Sequence, residues 1–128
     1  KAAGGSSGKE CLQINVKDNS AFGSFVQIPA VDGTIEKIEV TIREPYKGRA
    51  IGIFPVGYTY TKDTLDKMKE QLAKDAIAIS NETPSDVNNN EPFTFVIDNL
   101  SAKNLTQFSI FPTLGAVSIT AITVTYSK

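Results

Sequence analysis

Side chains that could bind a sugar gather in two short segments of the chain, residues 43–49 and 57–61. A tyrosine ring can stack on the apolar face of a pyranose. A planar guanidinium can donate two hydrogen bonds to neighbouring hydroxyls. The two segments contain three of the four tyrosines and both arginines of the chain, namely Arg43, Tyr46, Arg49, Tyr58 and Tyr60.

The local sequence favours presentation of these rings. Pro45 fixes the backbone before Tyr46 and lowers the entropy cost of holding the ring in place. Tyr58 and Tyr60 lie two residues apart, so an extended backbone points both rings to one side as a stacking platform. The alternative is that these tyrosines close the rims of the fold with their hydroxyls in water. The chain has no tryptophan, the most favoured sugar platform, which weakens the sugar-binding hypothesis.

Other kinds of site find little support in the sequence. There is no histidine, so Ser-His-Asp and Cys-His catalysis and the usual zinc ligand sets are excluded. Cys11 is the only cysteine and cannot form an intrachain disulfide. The polar segment 81–92 could supply oxygen ligands to Ca²⁺, with Asp86 and Glu91 as weak candidates, but its spacing matches no EF-hand. A solvated loop is the alternative, and we expect neither a metal, nor a cofactor, nor an enzyme.

The bulk properties indicate one globular domain. The chain has 128 residues, a formal net charge of −1 and an estimated pI of about 5.4. The chain contains no block of basic residues, which argues against a nucleic-acid partner. No apolar run approaches the roughly 18 residues that a membrane span needs. Residues 1–9 have the Gly/Ser-rich composition of a flexible linker, native or left by cloning. We therefore expect a linker over 1–9 and a single domain over 10–128.

The periodicity predicts an all-β fold. About eight short segments alternate apolar and polar residues between turn signals, which is typical of antiparallel strands. Residues 62–74 instead place Leu65, Met68 and Leu72 on one helical stripe, with Thr61 or Asp63 as the N-cap. We predict an antiparallel β-sandwich, jelly-roll-like, with this one short amphipathic helix on a sheet.

One apolar pattern occurs twice, as TIEKIEVTI over 34–42 and SITAITVTY over 118–126. In both, the first isoleucine stands three residues before the next and so breaks the period of two. Either a β-bulge shifts the phase near residues 36–37 and 120–121, or one end of each strand lies between two apolar layers. We favour the bulges. The short segments around Ile-Phe-Pro, 53–55 and 110–112, form a second pair, so the order of the two patterns inverts along the chain.

From about residue 24 to 127 the chain resembles a jelly-roll-like module of secreted proteins and lipoproteins of Bacteroidetes, similar to non-catalytic carbohydrate-binding modules. The resemblance rests on the strand pattern of 35–42 and on the ending GAVSITAITVTY, 115–126. It implies that the repeated stretches are long core strands whose Ile-x-Val-x-Ile/Tyr side chains fill the interior.

The resemblance further implies a secreted or cell-surface module attached to a larger protein and binding polysaccharide. The alternative is a structural or protein-interaction module, such as a spacer, docking domain or pilus-like subunit, with no glycan ligand.

Overall fold

The computed structural model describes residues 12–14, 25–59, 61 and 64–128. The predicted linker over 1–9 lies outside the described residues, as do Cys11, Tyr60 and Asp63.

The described residues contain eight strands, in agreement with the sequence-based expectation. One α-helix, α1, spans Leu65–Asp75, and a short 3-10 turn spans Ser101–Lys103. Neither helical segment in this part of the chain is long and apolar enough to cross a membrane. The strands are β1 (Leu12–Ile14), β2 (Val26–Gln27), β3 (Thr34–Arg43), β4 (Ile51–Phe54), β5 (Ala78–Ile79), β6 (Phe93–Ile97), β7 (Ser109–Pro112) and β8 (Val117–Ser127).

The strands form two four-stranded sheets with jelly-roll connectivity. Sheet A has the order β1-β8-β3-β6 and sheet B the order β2-β7-β4-β5. All pairings are antiparallel, and β1 pairs with β8, β2 with β7, β3 with β6 and β4 with β5. The first half of the chain is thus folded back on the second, strand by strand, as in a jelly roll. The predicted fold class is confirmed.

The two pairs of similar stretches are neighbours in space. β3 and β8 pair antiparallel at the centre of sheet A, and β4 and β7 do so at the centre of sheet B. The inverted order along the chain follows from the jelly roll, because each half supplies one central strand to each sheet. Opposed apolar residues in the β3–β8 pair are Ile35 and Tyr126, Ile38 and Val124, Val40 and Ile122, and Ile42 and Ile119.

The two predicted β-bulges are present. The register of the β3–β8 pair shifts between Ile35 and Lys37, which leaves Glu36 as the extra residue on β3. A second shift between Thr41 and Ile42 leaves Thr120 as the extra residue on β8. The carbonyl of Glu36 accepts a hydrogen bond from the Leu100 amide. The Thr120 hydroxyl donates to the Thr41 carbonyl. Each bulge is therefore held by a hydrogen bond outside the regular ladder.

Burial within this central pair is unequal. Every inward residue of β3 is buried, whereas Ile122 and Val124 of β8 are half-buried. Tyr126 is 43% exposed. The prediction that the pattern fills the interior is confirmed for β3 and wrong for Tyr126. Tyr126 is the second-last residue of β8, so only one further residue of the strand extends past its ring.

The main core lies between the sheets, and a second apolar cluster covers the outer face of sheet B. In the second cluster Met68 and Leu72 of α1 pack with Phe54 and Phe111. Tyr58 stacks on Phe54 with ring centroids 4.6 Å apart. The main core includes Ile14, Ile35, Ile38, Val40, Ile42, Ile51, Ile53, Phe95, Phe108 and Ile110.

The helix starts later than predicted. Its N-cap is Thr64, whose hydroxyl accepts from the Lys67 amide, and not Thr61 or Asp63. Met68 and Leu72 are buried as expected, but Leu65 at the first helical position is 36% exposed. The predicted apolar stripe is therefore one residue too long. A helical period identifies the apolar face but not where that face leaves the sheet.

Candidate functional site

The loop between β3 and β4 is fixed by one buried side chain from elsewhere in the chain. The Thr83 hydroxyl donates to the Tyr46 carbonyl over 2.6 Å and accepts from the Arg49 amide over 2.8 Å. The Thr83 carbonyl accepts from the Gly48 amide, and the Thr83 amide donates to the Arg49 carbonyl. These bonds tie both sides of the loop to one residue and restrain its backbone, which lowers the entropy cost of binding a ligand there.

Two residues of this loop adopt left-handed backbone angles. Glu44 has φ +50° and Gly48 has φ +67°. Gly48 adopts this angle at no steric cost, whereas Glu44 is of a type that rarely does. Between them Pro45 is buried and Tyr46 faces solvent. The two turns thus place the Tyr46 ring in solvent next to a buried proline.

Tyr46 and Arg49 form a pair at the surface. Tyr46 is 59% exposed. The guanidinium carbon of Arg49 lies 5.7 Å from the centre of the Tyr46 ring, within the range of a cation–π contact. Arg49 Nε donates to the Ala116 carbonyl over 3.1 Å, and Arg49 Nη1 to the Lys47 carbonyl over 3.4 Å. One face of the ring is therefore held by a fixed guanidinium, and its exposed surface remains available for stacking.

The position of the Arg49 side chain depends on Gly115, in the turn between β7 and β8. A Cβ atom at Gly115 would lie 2.7 Å from Arg49 Nε and 2.8 Å from its guanidinium carbon. No side chain fits there unless Arg49 moves. Gly115 therefore allows Arg49 to reach the Ala116 carbonyl and lie against Tyr46.

Arg43 lies beside the same turn. It is the last residue of β3 and is paired with Ser118 of β8, two residues beyond the Ala116 carbonyl that Arg49 binds. Arg43 Nε is buried and has no hydrogen-bond partner among the described residues. Such a donor is costly to leave unpaired. The structure thus places Arg43, the last residue of β3, beside the loop that holds Tyr46 and Arg49.

The second predicted segment lies elsewhere. Tyr58 follows the end of β4 and Arg49 precedes its start, so the two segments are at opposite ends of that strand. Tyr58 is half-buried, stacks on Phe54 and donates to Asp75 Oδ2 over 2.8 Å. Its ring is part of the cluster under α1. Tyr60 lies outside the described residues, so the platform of Tyr58 and Tyr60 stays a prediction.

The segment 81–92 presents its carboxylates to solvent. Asp86 and Glu91 are both exposed. The Asn88 side-chain oxygen accepts from the Asn90 amide, and the Asn81 side-chain oxygen accepts from the Val96 amide. Two of the oxygens that could bind Ca²⁺ therefore already accept hydrogen bonds from backbone amides. No group of three His, Cys, Asp or Glu side chains in the described part of the chain could hold a metal ion.

Sequence reasoning missed Thr83 and treated Gly115 only as part of a strand pattern. Thr83 is 34 residues from Arg49, and the residues next to Thr83 in the sequence do not indicate the contact.

Comparisons with family models, with curated proteins and with solved structures gave no match to this chain.

Proposed function

We propose that the protein is a non-catalytic carbohydrate-binding or surface-attachment module of a secreted multidomain protein. The observation that carries the proposal is the exposed Tyr46 ring, which contacts Arg49 on one face and stands on a loop that is hydrogen-bonded to Thr83. A fixed aromatic ring beside a guanidinium is the arrangement that stacks on a pyranose and binds its hydroxyls. The resemblance to Bacteroidetes modules supports the same assignment and the secreted or cell-surface location.

The charge of the loop favours an acidic polysaccharide. Residues 43–49 contain Arg43, Lys47 and Arg49 against the single carboxylate of Glu44. The whole chain has a formal net charge of −1, so this positive segment is local. A glycan with carboxylate or sulfate groups would gain charge-assisted hydrogen bonds from the arginines. We therefore expect uronate-containing or sulfated chains to bind more tightly than neutral ones, with an affinity that falls as salt rises.

Affinity gel electrophoresis tests the proposal. The protein is run in native gels containing polygalacturonate, a sulfated mucin glycan or a neutral glucan. We expect retardation in the acidic gels and its loss in Tyr46→Ala, because a stacking ring contributes roughly 0.5–1.5 kcal/mol beyond area burial, or up to about tenfold in affinity. Arg49→Gln should weaken binding and reduce its salt dependence.

Tyr126→Ala is the matched control. Tyr126 is also an exposed tyrosine, but it lies opposite Ile35, at the far end of the β3–β8 pair from Arg43. It should bind like the unmodified protein. Equal retardation of Tyr46→Ala and Tyr126→Ala, or mobility unaffected by every polysaccharide, would count decisively against a glycan site at this loop.

A further inference from the structure

The two arginines of the candidate site differ in the contacts they make within the protein. Arg49 donates two hydrogen bonds, from Nε to the Ala116 carbonyl and from Nη1 to the Lys47 carbonyl. Its guanidinium also lies against the Tyr46 ring. Arg43 makes no side-chain hydrogen bond and no ion pair with any described residue. Arg49 is therefore held in place by the fold, whereas the charge of Arg43 is not compensated within the described part of the chain.

Arg43 projects from the outer face of sheet A. The preceding residue, Ile42, is buried in the core, and successive side chains of a strand point to opposite faces. Three residues along the chain stands Tyr46, so the Cα atoms of Arg43 and Tyr46 lie within roughly 11 Å of each other. A ligand of two or more sugar units that stacks on Tyr46 therefore also reaches the Arg43 side chain.

The unpaired nitrogens of Arg43 indicate the kind of group that it binds. Nε is buried without an acceptor, whereas the two terminal nitrogens are neither buried nor bonded to the residues that the structure describes. The terminal nitrogens of a guanidinium form a planar fork that matches two oxygens of a carboxylate or a sulfate. A neutral hydroxyl group would leave the charge uncompensated. The end of the Arg43 side chain thus fits an anionic substituent of a sugar.

We propose that Arg43 is the residue that distinguishes acidic from neutral glycans at this site, and that Arg49 is a positioning residue, a division of roles that rests on the proposed glycan function. The Arg43 guanidinium pairs end-on with a carboxylate or sulfate group of the ligand. The Tyr46 ring stacks on a sugar whether or not the ligand is charged. Arg49 fixes that ring through the contact of its guanidinium with one face.

Two forms of one ligand test this division of roles. An oligogalacturonide and its fully methyl-esterified form have the same sugars, and only the first carries carboxylates. Isothermal titration calorimetry of the full chain measures both affinities. The unmodified protein should bind the acid roughly tenfold more tightly than the ester, because the acid gains a charge-assisted pair. A sulfated oligosaccharide and its desulfated form make a second pair of ligands, which separates sulfate from carboxylate.

The variants of the two arginines should behave differently. Arg43→Gln should bind the acid and the ester alike and keep the affinity of the unmodified protein for the ester. Arg43→Lys should recover part of the preference, since a lysine keeps the charge but not the planar fork. Arg49→Gln should weaken the binding of both forms, because the Tyr46 ring loses its contact, and should keep most of the preference for the acid.

Lys47→Gln is the matched control, because it removes the same charge from an exposed residue of the same loop. It should retain most of the preference, and thermal unfolding should confirm that every variant folds. Equal affinity of the unmodified protein for both members of each ligand pair overturns the role of Arg43. So does a preference that Lys47→Gln and Arg43→Gln reduce equally, or one that only Arg49→Gln abolishes. Each of these results leaves the glycan function standing, whereas no binding of any of the four ligands overturns both.

Discussion

At the residue scale, the candidate site depends on Thr83 more than on any residue that could touch a ligand. Its hydroxyl is at once a donor to Tyr46 and an acceptor from Arg49, in a buried position. Thr83→Val keeps the shape of the side chain and removes both bonds, leaving a carbonyl and an amide without that partner. We expect the free energy of unfolding to fall by about 1–3 kcal/mol. Urea denaturation followed by circular dichroism measures the change.

Thr113→Val provides the comparison for that experiment. Thr113 and Thr83 are both 3% exposed, but Thr113 has no side-chain hydrogen bond to the described residues. Its replacement should change stability by clearly less. If Thr113→Val and Thr83→Val cost the same, the cost comes from burial and not from the bonds that fix the loop.

At the scale of the elements, α1 packs on sheet B through its two buried side chains, Met68 and Leu72. Leu72 is fully buried against the aromatic cluster, whereas Leu65 on the same helix is 36% exposed. Leu72→Ala should cost about 2–5 kcal/mol through lost burial and the cavity left behind. Leu65→Ala should cost less, roughly 1–2 kcal/mol, since over a third of Leu65 is already exposed and less apolar area is lost. Thermal unfolding of the two variants separates them, and similar losses would contradict the observed orientation of the helix.

The sequence predicted such elements better than their ends. Period-two alternation and its interruptions identified β3, β8 and both bulges. This was possible because the alternation of apolar and polar neighbours shows which side chains of a strand face the core. The start of the helix was wrong, because Thr61, Asp63 and Thr64 are all acceptable caps by type and tertiary packing selects among them. The sequence identified residues 43–49 as a loop but not the link of this loop to Thr83, since that contact joins distant parts of the chain.

At the scale of the whole molecule, the jelly roll explains why one chain contains the same patterns in reverse order. Folding the chain back on itself makes β3 and β8 neighbours, and likewise β4 and β7. The same topology brings the β3–β4 loop, the β7–β8 turn and Thr83 together at one end. The sequence could supply the strands and the fold class. The sequence does not predict that these three segments contact one another, and their contacts determine the position of Tyr46 and Arg49.

The most direct test of the central claim is a titration followed by two-dimensional amide NMR. Isotope-labelled protein is titrated with an oligogalacturonide, with a neutral oligoglucan of the same length as control. The account predicts that the largest shift changes with the acidic ligand fall on the amides of Tyr46, Gly48, Arg49, Gly115 and Ala116, with little change at Tyr126. Changes confined to other surfaces, or the same response to both ligands, would contradict binding at this loop.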